Sequence, residues 1–201
     1  MIYRFNIYQQ ENKSPFRNYR RGLLKKISIN GKLSEVGIQG PAAMEVVNKF
    51  DLVDYVEIEV KYYRSAKEPY PDFISISVVL DAANSSAIKY LEQHGINFKR
   101  KPVRIENDQS VSYELITFPT RDLIDIEASK AYVKDDGSLA SMGENYFDGK
   151  IVLKKESKTL KGIYRLDRLG NALVCDEETK QNLEKSGLTG FYFEELGVSG
   201  D

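Results

Sequence analysis

Twice along this chain a short apolar run leads into a polar stretch that closes on Leu-Glu-x-x-Gly and an aliphatic residue. In the first copy Val78-Val79-Leu80 precedes Tyr90-Leu91-Glu92-Gln93-His94-Gly95-Ile96. In the second, Leu173-Val174-Cys175 precedes Asn182-Leu183-Glu184-Lys185-Ser186-Gly187-Leu188 and then Phe191-Tyr192-Phe193. Each position has a physical task. Asn84 or Ser85 in the first copy, and Asp176 in the second, can accept the free N–H groups of a first helical turn. The leucine anchors the helix on a sheet, and the glycine takes the left-handed conformation that ends it. Asp176, Glu177 and Glu178 also stand at the positive end of the helix dipole. Strand-helix-strand units of this kind are common, so the echo reads as two similar building blocks rather than a duplicated gene.

The rest of the chain is short strands and turns. Tyr3, Phe5 and Ile7 alternate with Arg4, Asn6 and Tyr8 as a half-buried strand does. Pro41 after Gly40, followed by Ala42, Met44, Val46 and Val47, predicts a short helix with proline in its first turn. Strand alternation returns over Tyr55–Val60. Further strands are predicted at Ile74–Leu80, Phe98–Ile105, Val111–Phe118, Lys150–Lys154, Gly162–Leu166 and Leu173–Cys175, with a helix over Ser85–His94 and a last helix and strand after Asp176. The fold class is α+β, with mixed, mainly antiparallel sheets and a few short helices. Pro69 and Pro71 in Ser65–Asp72 remove backbone donors and restrict the residues before them. That loop divides an N-terminal mixed α/β subdomain, 1–66, from an α+β domain, 73–201, unless the two form one compact unit.

Composition removes several function classes. At 201 residues and 41% hydrophobic the chain can bury a sizeable core. Its net charge of -1 provides no global field for nucleic acid or an anionic membrane. The N-terminus alternates and soon meets charges, unlike a signal or transit peptide, which predicts a cytoplasmic protein. No apolar run approaches the roughly 20 residues that span a bilayer. The single Cys175 excludes an intramolecular disulfide and a paired-cysteine zinc site, and its apolar strand end predicts a buried, inert thiol.

Catalytic candidates are few. The only histidine, His94, stands at a helix C-terminus, where capping explains it. Asp122, Asp125 and Glu127 could serve as paired acids, with alternation placing Asp125 and Glu127 on one face with Leu123. With no third ligand or aromatic sugar platform beside them, they read instead as a solvated edge strand leading into a turn. Lys134-Asp135-Asp136-Gly137 is a turn signal without calcium-loop spacing. Glycine-rich phosphate loops do not occur. Neither a cofactor nor a metal is predicted.

Two surface features remain. Lys13, Arg17, Arg20, Arg21, Lys25 and Lys26 interleave with Phe16 and Tyr19 against the single acid Glu11, a mix that can contact phosphates or grip an acidic protein. Tyr62-Tyr63-Arg64 and Tyr70 flank the proline loop, and such residues supply interface hot spots. The candidate partner-binding residues are therefore Arg17, Tyr19, Arg20, Arg21, Tyr62, Tyr63, Arg64 and Tyr70.

From about Leu80 onward the chain resembles a family of bacterial immunity proteins from polymorphic toxin systems. The segments that carry the resemblance are Tyr90–Gly95 with the strand after it, Asp122–Ser129, Gly162–Leu166, Asp176–Lys185 and Ser186–Phe193. The resemblance, over roughly residues 80–196, implies a non-enzymatic cytoplasmic protein that binds a cognate toxin by direct contact, a role in interbacterial competition. It implies no catalytic residues, and the N-terminal third lies outside it. The alternative is a nucleic-acid-binding or regulatory module using the Lys13–Lys26 stretch; an enzyme using Asp122, Asp125 and Glu127 is a third class.

Overall fold

The structure is a computed structural model. It describes residues 1–7, 23–29, 32–34, 56–61, 70–75, 80–105, 112–137, 139, 147, 150–167, 169 and 172–200, with only the backbone course of 23–29, 32–34, 56–61 and 103–105. The chain separates into two compact units. The first comprises Met1–Phe5, Pro119–Lys185 and Phe193–Asp201, the second Asn6–Phe118 and Ser186–Tyr192.

The strands, in chain order, are β1 (Ile2–Ile7), β2 (Leu23–Ile29), β3 (Lys32–Ser34), β4 (Val56–Lys61), β5 (Phe73–Ser75), β6 (Asp81–Asn84), β7 (Lys99–Ile105), β8 (Tyr113–Thr117), β9 (Thr120–Arg121), β10 (Val152–Leu153), β11 (Ile163–Leu166), β12 (Leu173–Asp176) and β13 (Phe191–Val198). Helix α1 spans Ser85–Gln93 and α2 spans Glu177–Lys185. The strands form a six-stranded sheet, β10-β13-β1-β12-β11-β9, and a seven-stranded sheet, β3-β2-β4-β7-β8-β6-β5. β10 with β13, β11 with β9 and β4 with β7 run parallel. The other registered pairs are antiparallel, so the sheets are mixed and mainly antiparallel.

In the first unit the second residue of the chain already lies opposite Asp176. Ile2, Tyr3, Arg4 and Phe5 face Asp176, Cys175, Val174 and Leu173. β1 is therefore an inner strand of a sheet whose other members come from the far end of the sequence. Residues directly opposite share a face, so the row Tyr3, Cys175, Ile163 and the row Phe5, Leu173, Arg165 point one way. Phe193 stacks on Phe5 there, with ring centroids 5.5 Å apart. Ile2, Val174 and Leu166 point the other way into a core shared with Leu123, Ile124, Leu139, Leu153, Leu169, Ala172 and Val198. A sheet covered on both faces explains why Leu173–Asp176 is buried at every position instead of alternating.

The second unit carries α1. Asn84 caps it by accepting the Ala87 N–H at 3.1 Å, and Ala87, Ile88 and Leu91 are buried. Gly95 ends it at φ 64°, with the Gly95 N–H donating to the Glu92 carbonyl and the Ile96 N–H to the Leu91 carbonyl, a Schellman arrangement. Nine residues fall below the ~12–15 at which an isolated helix holds in water. Both helices therefore depend on their caps and on the leucine each buries, Leu91 and Leu183.

One expected strand differs. Ile74–Leu80 reads as a single apolar strand, but Phe73, Ile74 and Ser75 pair antiparallel with Ala83, Ala82 and Asp81. β5 and β6 are therefore antiparallel neighbours, and of the expected run only Ile74 and Ser75 are described within a strand, β6 starting after it at Asp81. Asp72 fixes this corner. Its backbone carbonyl accepts the Asn84 N–H at 2.9 Å and its side chain accepts the Asn84 amide at 2.9 Å. The same side chain accepts both the N–H and the hydroxyl of Thr189, each at 2.8 Å. Gly190 follows at φ 99°, pressed on the backbone of Phe73, and a Cβ there would run into the Phe73 carbonyl oxygen. The predicted helix after Pro41 lies outside the described residues.

Gly190→Ala combines an unfavourable φ, costing about 1–3 kcal/mol, with overpacking of about 1–3 kcal/mol. Thermal unfolding of this variant is expected at least about 5 °C below wild type. Gly197→Ala is the control, because its Cβ meets only Val152 Cγ2 at 3.8 Å. Equal melting temperatures for the two variants would rule out the Gly190–Phe73 contact.

Candidate interaction surface

Charged side chains gather in two places on the first unit, around α2 and around β10. In the first, α2 lies against the Tyr3–Phe193 face. Asp176 ends β12 and begins the helix, its carboxylate accepting four hydrogen bonds: Gly162 N–H at 2.6 Å, Thr179 hydroxyl at 2.8 Å, Glu178 N–H at 3.0 Å and Thr179 N–H at 3.2 Å. Burial alone would raise its pKa, but the Gly162 and Thr179 donors outweigh that and hold it below the usual carboxylate range. Tyr3 donates its hydroxyl to Glu177 Oε2 at 2.6 Å. That bond, and then burial, pushes the Tyr3 pKa up to about 12, and the same bond, with one from Gln181, lowers that of Glu177. Lys180 stands 4.9 Å over the Tyr3 ring and 5.9 Å from the Phe193 centroid while pairing with Glu184 at 2.9 Å. Its acids are thus largely committed to neighbours within the unit.

The second is built by the chain around β10. Ile124 bridges Leu153, the Asp125 N–H donates to the Val152 carbonyl, and Ser129 Oγ both accepts from Val152 N and donates to Val152 O. Asp125 accepts the Ala128 N–H at 2.9 Å and the Ser199 hydroxyl. Those donors, Ser199 first, lower its pKa. Lys130 closes the turn at φ 48°, the one non-glycine residue of positive φ among the described residues, its N–H bonded to the Glu127 carbonyl. Asp122–Ser129 thus contributes a single bridge at Ile124 and then the expected turn, in place of a full edge strand. Asp122 pairs with Lys154 at 2.9 Å and Glu127 is exposed, so the three acids do not converge.

After β10 the chain makes a 3-10 turn, Lys155–Thr159. The Ser157 N–H donates to the Lys154 carbonyl at 3.0 Å, the Leu160 N–H to the Ser157 carbonyl at 3.1 Å, and Thr159 Oγ1 to the Glu156 carbonyl at 2.9 Å. Ser157 points inward and is fully buried, its hydroxyl without a partner among the described residues. Lys155 and Lys158 are exposed. Three residues per turn eclipse positions i and i+3, so these two lysines share one side. Sequence reasoning treats 150–154 only as a strand and misses this pair; the recurrence Lys155, Lys158, Lys161 was the available signal.

The remaining candidates sort simply. His94 caps α1, its Nδ1 3.0 Å from the Tyr90 carbonyl and its ring stacked on Tyr90 at 3.9 Å. Cys175 is buried, and burial foremost pushes its thiol pKa far up, which keeps it protonated. Gly137 closes the predicted turn at φ 79°, donating to the Lys134 carbonyl. Tyr70 is half-buried and meets Tyr113 edge-on at 6.4 Å, while the Tyr113 hydroxyl donates to the Pro71 carbonyl. Arg17, Tyr19, Arg20, Arg21, Tyr62, Tyr63 and Arg64 lie outside the described residues. Among the described residues no cluster of metal-ligating side chains occurs, and no helix is long and apolar enough to cross a membrane.

The family model of the Immunity protein family (Imm11) matches residues 115–198. The match runs from within β8 to the end of β13, leaves β1 outside it, and overlaps the segment whose resemblance was noted from sequence. Comparison with curated proteins gives no match.

Asp176→Asn is expected to lower stability at pH 7. The wild-type carboxyl titrates lower folded than unfolded, so its contribution is present above about pH 4 and is lost as pH falls through the folded value. The stability gap between wild type and Asp176→Asn should therefore shrink on acidification below about pH 4; a gap that widens contradicts the assignment. Ser157→Ala removes a buried hydroxyl with no described partner and is expected to be neutral or to stabilise by up to about 1 kcal/mol, read by urea denaturation. A loss beyond about 1 kcal/mol would mean that the hydroxyl has a partner.

Proposed function

We propose that this chain is an immunity protein that binds a cognate bacterial toxin in the cytoplasm and neutralises it by direct contact, without catalysis. The observation that carries this reading is the match of the Immunity protein family (Imm11) to residues 115–198. The chemistry of the described residues supports it. The lone histidine caps a helix, the lone thiol is buried, and Asp125 and Asp122 are engaged in a turn and an ion pair. Among the described residues, the histidine and the cysteine, the types that most often do acid-base or nucleophilic work at neutral pH, hold structural positions.

A tight complex needs about 800 Å² of buried surface per partner. We assign part of it to Arg17, Tyr19, Arg20, Arg21, Tyr62, Tyr63 and Arg64, whose types supply binding energy at interface centres. Tyr70, half-buried against Tyr113, is proposed to contribute to the same interface. Whether 1–66 and 73–201 fold independently bears on this, because β1 belongs to the first segment and pairs with β12 of the second.

Expression of the toxin domain encoded beside the chain should arrest growth, and co-expression of the chain should restore it. Arg17→Ala/Arg20→Ala/Arg21→Ala should weaken that protection. Growth arrest undiminished by the wild-type chain would sink the reading.

A further inference from the structure

We propose that the candidate contact residues of 17–21, of 62–64 and Tyr70 belong to one contact surface, gathered at a single end of the seven-stranded sheet, which docks on a carboxylate-bearing face of the protein toxin. The inference rests on the immunity reading and adds to it the place on the fold where segments far apart in sequence meet one partner.

Strand direction does the gathering. β4 and β7 run parallel, with Val60 opposite Ile105, so both finish at the same end of the sheet. β2 runs antiparallel to β4 with Leu23 opposite Lys61, and therefore starts where β4 stops. Following the antiparallel pairs β7 with β8, β8 with β6 and β6 with β5 brings the starts of β8 and β5 to that end as well. The chain enters β2 from 17–21 through Gly22 and leaves β4 directly into 62–64. Those two stretches lie outside the described residues, but the strand ends they are bonded to lie opposite each other. With about 3.8 Å between consecutive Cα atoms, covalent geometry alone holds Arg21 within about 8 Å of Leu23 and Tyr62 within about 4 Å of Lys61. Tyr70 shortly precedes Phe73, the first residue of β5, and meets Tyr113, the first residue of β8, edge-on at 6.4 Å. All of these residues belong to the second unit.

The width of this end suits one docked protein. From β2 to β5 there are five strand spacings, about 24 Å at about 4.8 Å each. An interface of standard size, about 800 Å² per partner, is about 28 Å across, so a single toxin face reaches all three segments. Residue types name the chemistry of that face. The stretches 17–21 and 61–64 hold Arg17, Arg20, Arg21, Lys61 and Arg64 without an acid, interleaved with Tyr19, Tyr62 and Tyr63. Arginine and tyrosine are enriched where protein partners concentrate their binding energy, and the arginine fork pairs in bidentate fashion with a carboxylate. Glu106 follows Ile105 at the same end. A carboxylate among these cations disfavours a phosphate backbone, whereas a protein face of mixed charge can satisfy both signs.

The test measures binding of the full-length chain to the purified toxin domain encoded beside it. Wild type is compared with Arg21→Glu, with Arg64→Glu and with Lys32→Glu, the last at the start of β3 and so at the opposite end of the same sheet. Arg21→Glu and Arg64→Glu are each expected to weaken binding about tenfold or more, while Lys32→Glu binds like wild type. Unchanged melting temperatures show that the variants fold. Hydrogen exchange of the wild-type complex reads the same surface without substitutions: toxin should slow exchange in 17–22, in 62–66 and around Tyr70 together. Protection confined to one of those segments, wild-type affinity in either folded arginine variant, or an equal loss in Lys32→Glu overturns the inference while the immunity reading stands. Absence of wild-type binding instead overturns the immunity reading and this inference with it. Recovery of RNA with wild type but not with Arg21→Glu overturns the protein docking in favour of nucleic acid.

Discussion

The carboxylate of Asp176 holds together pieces of structure that local sequence cannot connect. It stands where β12 ends and α2 starts, and it accepts donors from the helix N-terminus and from Gly162 at the entrance of β11. Alanine at a cap position alone costs about 1 kcal/mol, and here the same group also satisfies a strand on the far side of a loop. Without it, a nine-residue helix with two buried side chains has little to hold it on the sheet. The sheet face under α2 carries Tyr3 and Phe193, so the loss would reach β1 and β13 as well.

Asp72 plays a comparable part in the second unit. It joins the cap of α1, Asn84, to Thr189, and Gly190 then lies against Phe73. In both units a short polar side chain at a helix start also bonds a distant strand or loop. This explains how helices of nine residues, too short to persist alone, become fixed points of the fold.

The features legible in the sequence were those set by local chemistry. The caps Asn84 and Asp176, the terminating Gly95 and Gly187, the anchors Leu91 and Leu183, and the turn at Gly137 follow from one-residue rules and occur as expected. Features that depend on distant partners were not legible. Nothing in Ile74–Leu80 shows that Ser75 lies opposite Asp81, because periodicity is the same for one strand or two. The acids at 122–127 alternate like a strand, yet the Val152 backbone and Ser199 draw them into a turn. Lysine at a positive φ, and the eclipsed pair Lys155 and Lys158, contradict local preference, and local rules cannot predict their own exceptions. Of the candidate contact residues, Tyr70 proves to be a packing residue as much as a surface one.

The account requires that this chain act by forming a complex, with surface charge and aromatic side chains doing what catalysis does elsewhere. Titration calorimetry of the purified chain into the toxin domain encoded beside it measures that claim most directly. The account predicts saturable binding near one to one. The absence of any heat of binding across several temperatures, with both proteins folded and the toxin active, would contradict it.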